Sequence, residues 1–208
     1  MQPVIEDEDL VRLLGGSRSR RRLPGPIRRP ANKWRERLPE ISSPKIVFDF
    51  HDLEQAGDGI VRVQGGPEFH SRRMANAMRD CSRVICYVAT LGPGPDVEVT
   101  SLSRAGDLSQ AFILDAVCSA AVESMSLQFA IERENEVRPR GESLTWYFSP
   151  GYCDWEVTEQ KQFFEMIDAG SIGVSLNDAC LMIPRKSLSG LLGILPYESG
   201  KPVQERNP

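Results

Sequence analysis

The chain has 208 residues, 40% of them hydrophobic, and a formal net charge of −4. That length and apolar content suit one compact domain with a core of its own, and the negative balance argues against a general polyanion binder. No apolar run reaches the ~18 residues of a membrane span, and the opening MQPVIEDEDL is acidic, without the apolar stretch of a secretory signal.

In chain order, Glu6 to Leu14 reads as a short helix with Leu10, Leu13 and Leu14 on one face, ended by Gly15-Gly16. Ser17 to Pro44 is rich in Arg and Pro. Between Ser17 and Arg37 there are nine Lys/Arg and one acid, a basic segment on an acidic body. Such a segment is able to meet nucleic acid, an anionic partner or a membrane surface. Composition favours a solvated linker or loosely packed arm without an apolar period. Ile46 to Phe50 and Ile60 to Val63 are expected strands around a turn at Gly57-Asp58-Gly59. Gly66-Pro67 is expected to open a helix over residues 68–79. Val84 to Ala89 is a continuous apolar run of strand length, so a buried central strand is expected.

Gly92-Pro93-Gly94-Pro95 reads as a rigid turn. Its prolines lack the N–H donors that a phosphate loop needs. A helix is expected over residues 96–105, and the longest helix over residues 107–135, its early half nearly all apolar or small. Glu123 lies in that half: it is either a buried carboxylate, which needs a partner or a function, or a partly exposed Glu on the outer face. Residues 144–148 form an expected strand of β-branched and aromatic residues. Thr158 is expected to cap a helix over residues 159–167. Gly173 to Leu176 is an expected short strand, residues 188–194 a last strand or short helix, and the tail after Pro196 is polar. Helices and strands mix without regular β-α-β alternation, so the expected class is α+β: a single domain with a mostly antiparallel sheet and flanking helices.

The sequence has no G-x-G-x-x-G after a strand, no P-loop and no G-x-S-x-G elbow. Five cysteines in odd number without C-x-x-C, and only two histidines, give no disulfide framework or metal motif. A reduced, cytoplasmic protein is expected. The junction Ser149-Pro150-Gly151-Tyr152 is the best candidate site. Pro fixes one backbone angle, Gly lets a ligand approach the main chain, and Tyr offers a ring to a flat or cationic group. Taken alone, it is also simply a tight turn with an aromatic anchor.

The motifs in order are more specific. Tyr147-Phe148-Ser149-Pro150-Gly151-Tyr152-Cys153-Asp154-Trp155 comes first, then Glu159-Gln160-Lys161, then Ile172-Gly173-Val174-Ser175-Leu176, then Cys180-Leu181-Met182-Ile183-Pro184-Arg185-Lys186-Ser187-Leu188-Ser189-Gly190. With Leu10 to Gly15, Val88 to Gly92 and Ala111 to Ala116 upstream, this series resembles the activation, or S-adenosylmethionine-binding, domain of vitamin B12-dependent methionine synthase, in its stand-alone form. The resemblance implies a curved antiparallel sheet over about residues 45–196, preceded by a helix (1–16) and the arm (17–44) and followed by a tail (197–208).

The resemblance also implies a function: S-adenosylmethionine bound while cob(II)alamin, carried by a partner, is reductively remethylated. The implied partners are a cobalamin-binding methionine synthase and a flavodoxin-type or reductase electron donor; neither a membrane nor a nucleic acid is implied. The protein's task would be positioning, with no catalytic side chain of its own. Ser149, Gly151 and Tyr152 match the ligand loop, and Glu123 falls where a helix carboxylate contacts the ligand. One departure stands out. The motif usually begins with Arg, which pairs with the ligand's carboxylate, and here that position is Tyr147. Either Arg185 or Lys186 supplies the charge, or affinity is lower, or the chain binds something else. Three alternatives follow: an accessory protein for another corrinoid methyltransferase, a non-catalytic module docking on a corrinoid protein, or a binding protein that works through its basic arm.

Overall fold

The computed structural model describes residues 3–16 and 22–197. Residues 17–21 of the expected arm, and the expected tail beyond Tyr197, lie outside the described residues. Helix α1 spans Asp7–Leu13, and α2 spans Gly25–Ile41. Strands β1 (Lys45–Gly57), β2 (Ile60–Val63) and β3 (Glu68–His70) follow, then α3 (Arg72–Ala77), β4 (Arg83–Thr90), α4 (Gly94–Arg104) and α5 (Leu108–Val137). The chain continues through β5 (Glu142–Leu144), α6 (Gln160–Glu165), a small β6–β7 pair (Ser175–Leu176, Met182–Ile183) and β8 (Ser187–Pro196).

Six strands form one antiparallel sheet in the order β3-β2-β1-β4-β8-β5. The apolar run of β4 is buried on both faces. Val84, Cys86 and Val88 pack with Phe69, Met74, Trp155 and Phe163 on one side. Ile85 and Tyr87 pack against Phe129 and Ala130 of α5 on the other. A both-faces-buried strand is usual in parallel sheets; here helices cover both faces of an antiparallel one. Among the described residues, α5 is the one helix long and apolar enough to cross a bilayer, yet its apolar faces are covered by α1, α2, α4 and the sheet.

The basic arm is the main correction. Residues 25–41 are a helix, with Ala31, Trp34 and Leu38 buried in the core beside α5. Ile27, Ala31, Trp34, Leu38 and Ile41 follow one another by four, three, four and three residues, the helical spacing of a buried stripe. Pro26 sits in the first turn, where its missing N–H does no harm. Pro30 and Pro39 each remove a backbone hydrogen bond inside the helix, and tertiary packing outweighs that loss. The indole N–H of Trp34 donates to Gln110 Oε1 at 2.8 Å. Arg35 pairs with Asp7 at 2.9 Å and Arg37 with Glu98 at 3.5 Å, so arm charges are spent on neighbouring helices.

Three local expectations also change. The helix expected at 68–79 begins with β3, because Phe69 is buried in pairing with β2; α3 starts only after Ser71, whose hydroxyl accepts from Met74 N. Thr158 does not cap α6. It lies within a 3-10 turn, Val157–Glu159, and the cap position, Glu159, makes no side-chain cap. The strand expected at 144–148 is regular only through Leu144.

Candidate functional site

A pocket of about 850 Å³ lies between the N-terminal segment, α5 and the loop after β5, within the size range of small-molecule sites. Helix α5 contributes Ala120, Glu123, Ser124, Leu127, Gln128 and Ile131. Their spacing of three and four makes one stripe along the helix. Helix α1 contributes Asp9 and Arg12, preceded by Val4 and Glu6. The third wall is Trp146, Tyr147, Phe148 and Ser149, with Tyr152, Cys153 and Arg73 at its end.

Consecutive residues of a regular strand face opposite ways, so the run from Trp146 to Ser149 needs a cause. Leu144 stands opposite Ile194, and Phe148 opposite Leu191. Three residues, Thr145 to Tyr147, therefore face two, Gly193 and Leu192. This one-residue bulge turns neighbouring side chains toward the same side. Backbone hydrogen bonds clamp it on both flanks, Thr145 N to Gly193 O at 2.9 Å and Phe148 N to Leu191 O at 2.9 Å. The rings of Trp146 and Tyr147 stack, with centroids 5.2 Å apart.

The loop after the bulge is held from three directions. The Ser149 hydroxyl donates to Ser189 O at 2.5 Å. Gly151 N donates to Trp155 O at 2.8 Å with Gly151 at φ +89°, a left-handed conformation that favours glycine. The Asp154 carboxylate accepts from the Ser71 hydroxyl at 2.6 Å and from Arg72 N at 2.8 Å. Burial pushes Asp154 up, but those donors outweigh it and hold the carboxyl below the ordinary range. Trp155 anchors the turn in the core against Phe69, with ring centroids 5.0 Å apart. Tyr152 is left 68% exposed at the rim.

Arg12 Nη2 donates to Glu123 Oε2 at 2.5 Å and lies 3.8 Å from Asp9 Oδ1. Burial lowers Arg12, but the bond to Glu123 and the charges of Glu123 and Asp9 raise it above its ordinary value. Burial, followed by the charges of Glu123 and Tyr152, pushes the Tyr147 hydroxyl up to about 12 against the opposing effect of Arg12. Tyr147 is therefore a neutral phenol at physiological pH. Arg73 Nη1 lies 3.4 Å from Cys153 Sγ.

Of the residues singled out in the sequence, Glu123, Tyr147, Ser149 and Tyr152 line this pocket, and Gly151 shapes its loop. Arg185 and Lys186 do not line it. Lys186 Nζ pairs with Asp115 at 2.8 Å and donates to Ser119 Oγ at 2.9 Å, with its side chain only 9% exposed. It ties the start of β8 to α5. Arg185 is exposed, and its backbone N–H donates to Asp96. The guanidinium groups of the pocket are those of Arg12 and Arg73, which sequence reasoning missed. The available signal was an Arg within the apolar run Leu10-Val11-Arg12-Leu13-Leu14.

No protein-family model matches this sequence, and no curated protein is similar to it in sequence. Among solved structures, the chain is similar to the crystal structure of the MetH reactivation domain bound to AdoHcy. The TM-score is 0.62 and the identity 15%, over 86% of this chain and 67% of that chain. The fold is that of a MetH reactivation domain. The expected class, a single α+β domain with an antiparallel sheet and flanking helices, thus agrees with this neighbour. Helix α2 is built into the helical layer rather than left as the expected arm.

Proposed function

We propose that this pocket binds S-adenosylmethionine, and that the chain is a stand-alone activation subunit supporting reductive remethylation of cob(II)alamin in a cobalamin-dependent methionine synthase. The observation that carries the reading is the convergence of the Ser149–Tyr152 loop, Glu123 and the stacked Trp146 and Tyr147 rings on one pocket of about 850 Å³. The AdoHcy of the fold neighbour is the demethylated form of this ligand.

The residues fit such a ligand. The pocket lining carries three carboxylates, Glu6, Asp9 and Glu123, and two guanidinium groups, Arg12 and Arg73. That balance suits a ligand with one net positive charge, the state of S-adenosylmethionine with its sulfonium, ammonium and carboxylate. Aromatic faces favour both the adenine and the sulfonium, and a cation over a ring gains about 0.5–2 kcal/mol. S-adenosylmethionine supplies an electrophilic methyl group; together with one electron from a reductase or flavodoxin-type donor, it would return an oxidised corrinoid on the partner to its methylated form. The chain's residues orient the ligand, exclude water behind Trp146 and Tyr147, and leave Tyr152 at the rim facing outward.

Titration calorimetry with the full chain tests this. Binding of S-adenosylmethionine is expected, weakened about tenfold, or ~1.4 kcal/mol, by Tyr152→Ala and by Glu123→Gln. Absence of heat, with and without a corrinoid protein, would overturn the reading. Tyr147 at the head of the loop supports a second reading, service to a different corrinoid methyltransferase. Recovery of such a protein, rather than a methionine synthase, in a pull-down would favour it.

A further inference from the structure

An α-amino-acid head group carries its ammonium and carboxylate on one carbon. A receptor for it needs an anion and a cation side by side. Within the pocket lining, Arg12 and Glu123 meet this requirement: the guanidinium of α1 and the carboxylate of α5 touch at 2.5 Å. Both are partly open to the pocket, with side chains 48% and 33% exposed. Arg73, the other guanidinium of the lining, stands beside a thiol rather than a carboxylate of the pocket.

We infer that Arg12 is the carboxylate receptor and Glu123 the ammonium receptor for the amino-acid end of the ligand, the pair closing on itself in the free pocket and opening around a zwitterion. This rests on the reading of the pocket as an S-adenosylmethionine site and adds how the ligand is oriented in it. The described hydrogen bond of Arg12 leaves from Nη2, and a guanidinium presents a planar fork of donors that matches a carboxylate with two parallel bonds. Each partner exchanges one ionic contact for another of the same kind, so no charge is stranded. Tyr147, a neutral phenol in the field of both groups, cannot repel either end of the ligand. The charge expected at the head of the loop is thus supplied from 111 residues upstream of Glu123, by a helix at the other end of the chain. Helix α1 is in turn fixed by Leu10 and Val11 in the core and by the Asp7–Arg35 pair to α2.

The test uses two probes with the full chain, read by calorimetry. S-adenosylhomocysteine has the amino-acid head; 5′-methylthioadenosine has the same adenosine and a thioether but lacks it. The expected result is that the parent binds S-adenosylhomocysteine more tightly. Arg12→Met should weaken S-adenosylhomocysteine at least about tenfold while leaving 5′-methylthioadenosine within about twofold. Equal loss of both probes, or loss of neither, would overturn the inference while leaving the site in place. A parent chain that binds neither probe overturns the site reading and this inference with it. If Arg12→Met fails to fold, the charge-swapped double variant Arg12→Glu, Glu123→Arg keeps an ion pair between the helices. It should hold 5′-methylthioadenosine and lose the preference for S-adenosylhomocysteine; a retained preference would overturn the inference.

Discussion

Two tyrosines show how single residues set the chemistry of the pocket and its support. Tyr147 has its hydroxyl pushed up from 10.0 to about 12 by burial and nearby negative charge. A group whose folded pKa is raised contributes stability in full below its unfolded value and loses it as pH rises through the folded value. The contribution of Tyr147 is therefore whole below about pH 10 and lost toward pH 12. Phenolate absorbance of the native chain should show a step near pH 12 that Tyr147→Phe removes. Loss of the step near pH 10 instead would place the phenol in ordinary solvent. Tyr87 is fully buried, and its hydroxyl bonds to Ser126 Oγ. A Cβ added at Gly190 would fall 2.4 Å from the Tyr87 ring. The ring is held at both ends, so Gly190→Ala should destabilise by about 1–3 kcal/mol, seen as a lower urea midpoint. An unchanged midpoint would mean that the ring has room to retreat.

Elements differ in how much of them a single stretch of sequence reveals. The apolar run of β4 and the long α5 were legible because their burial follows from their own residues. Helix α2 was legible in principle, by the spacing of Ile27, Ala31, Trp34, Leu38 and Ile41, but three prolines and a high charge hid it. Its place in the fold has an energetic consequence. Trp34 is 3% exposed, and its replacement by Ala should cost about 3–5 kcal/mol. Chemical denaturation would detect this, whereas a solvated arm would show no change. The helix expected over residues 68–79 failed for the opposite reason. Its first residues take part in pairing with β2, a choice made by a neighbour outside the window.

At the scale of the whole molecule, the site joins pieces from five parts of the chain: residues 4–12, Arg73, residues 120–131, residues 146–153 and Leu188. The loop at Ser149–Tyr152 was visible in the sequence because it is local. The Arg12–Glu123 pair was not, because it exists only once α1 has packed on α5. The same holds for Lys186. Its position beside a ligand motif suggested a binding role, yet the sheet order places β8 between β4 and β5 and turns this lysine onto Asp115. The basic charge near the N-terminus likewise changes meaning: Arg35 and Arg37 cross-link helices, and Arg12 belongs to the pocket.

The bulge opposite Leu192 makes the pocket wall depend on a count as well as on side-chain identity. Losing a single residue between Leu144 and Phe148 would restore plain two-residue alternation. Of any two neighbours left there, one would then point away from the pocket. The stacked pair of rings would be split across the sheet, although every aromatic side chain of the wall could still be present. An in-frame deletion of one codon would therefore erase the wall more completely than most substitutions. Among distant homologues, the length of this short segment would carry information about binding that a comparison of aligned residue types misses.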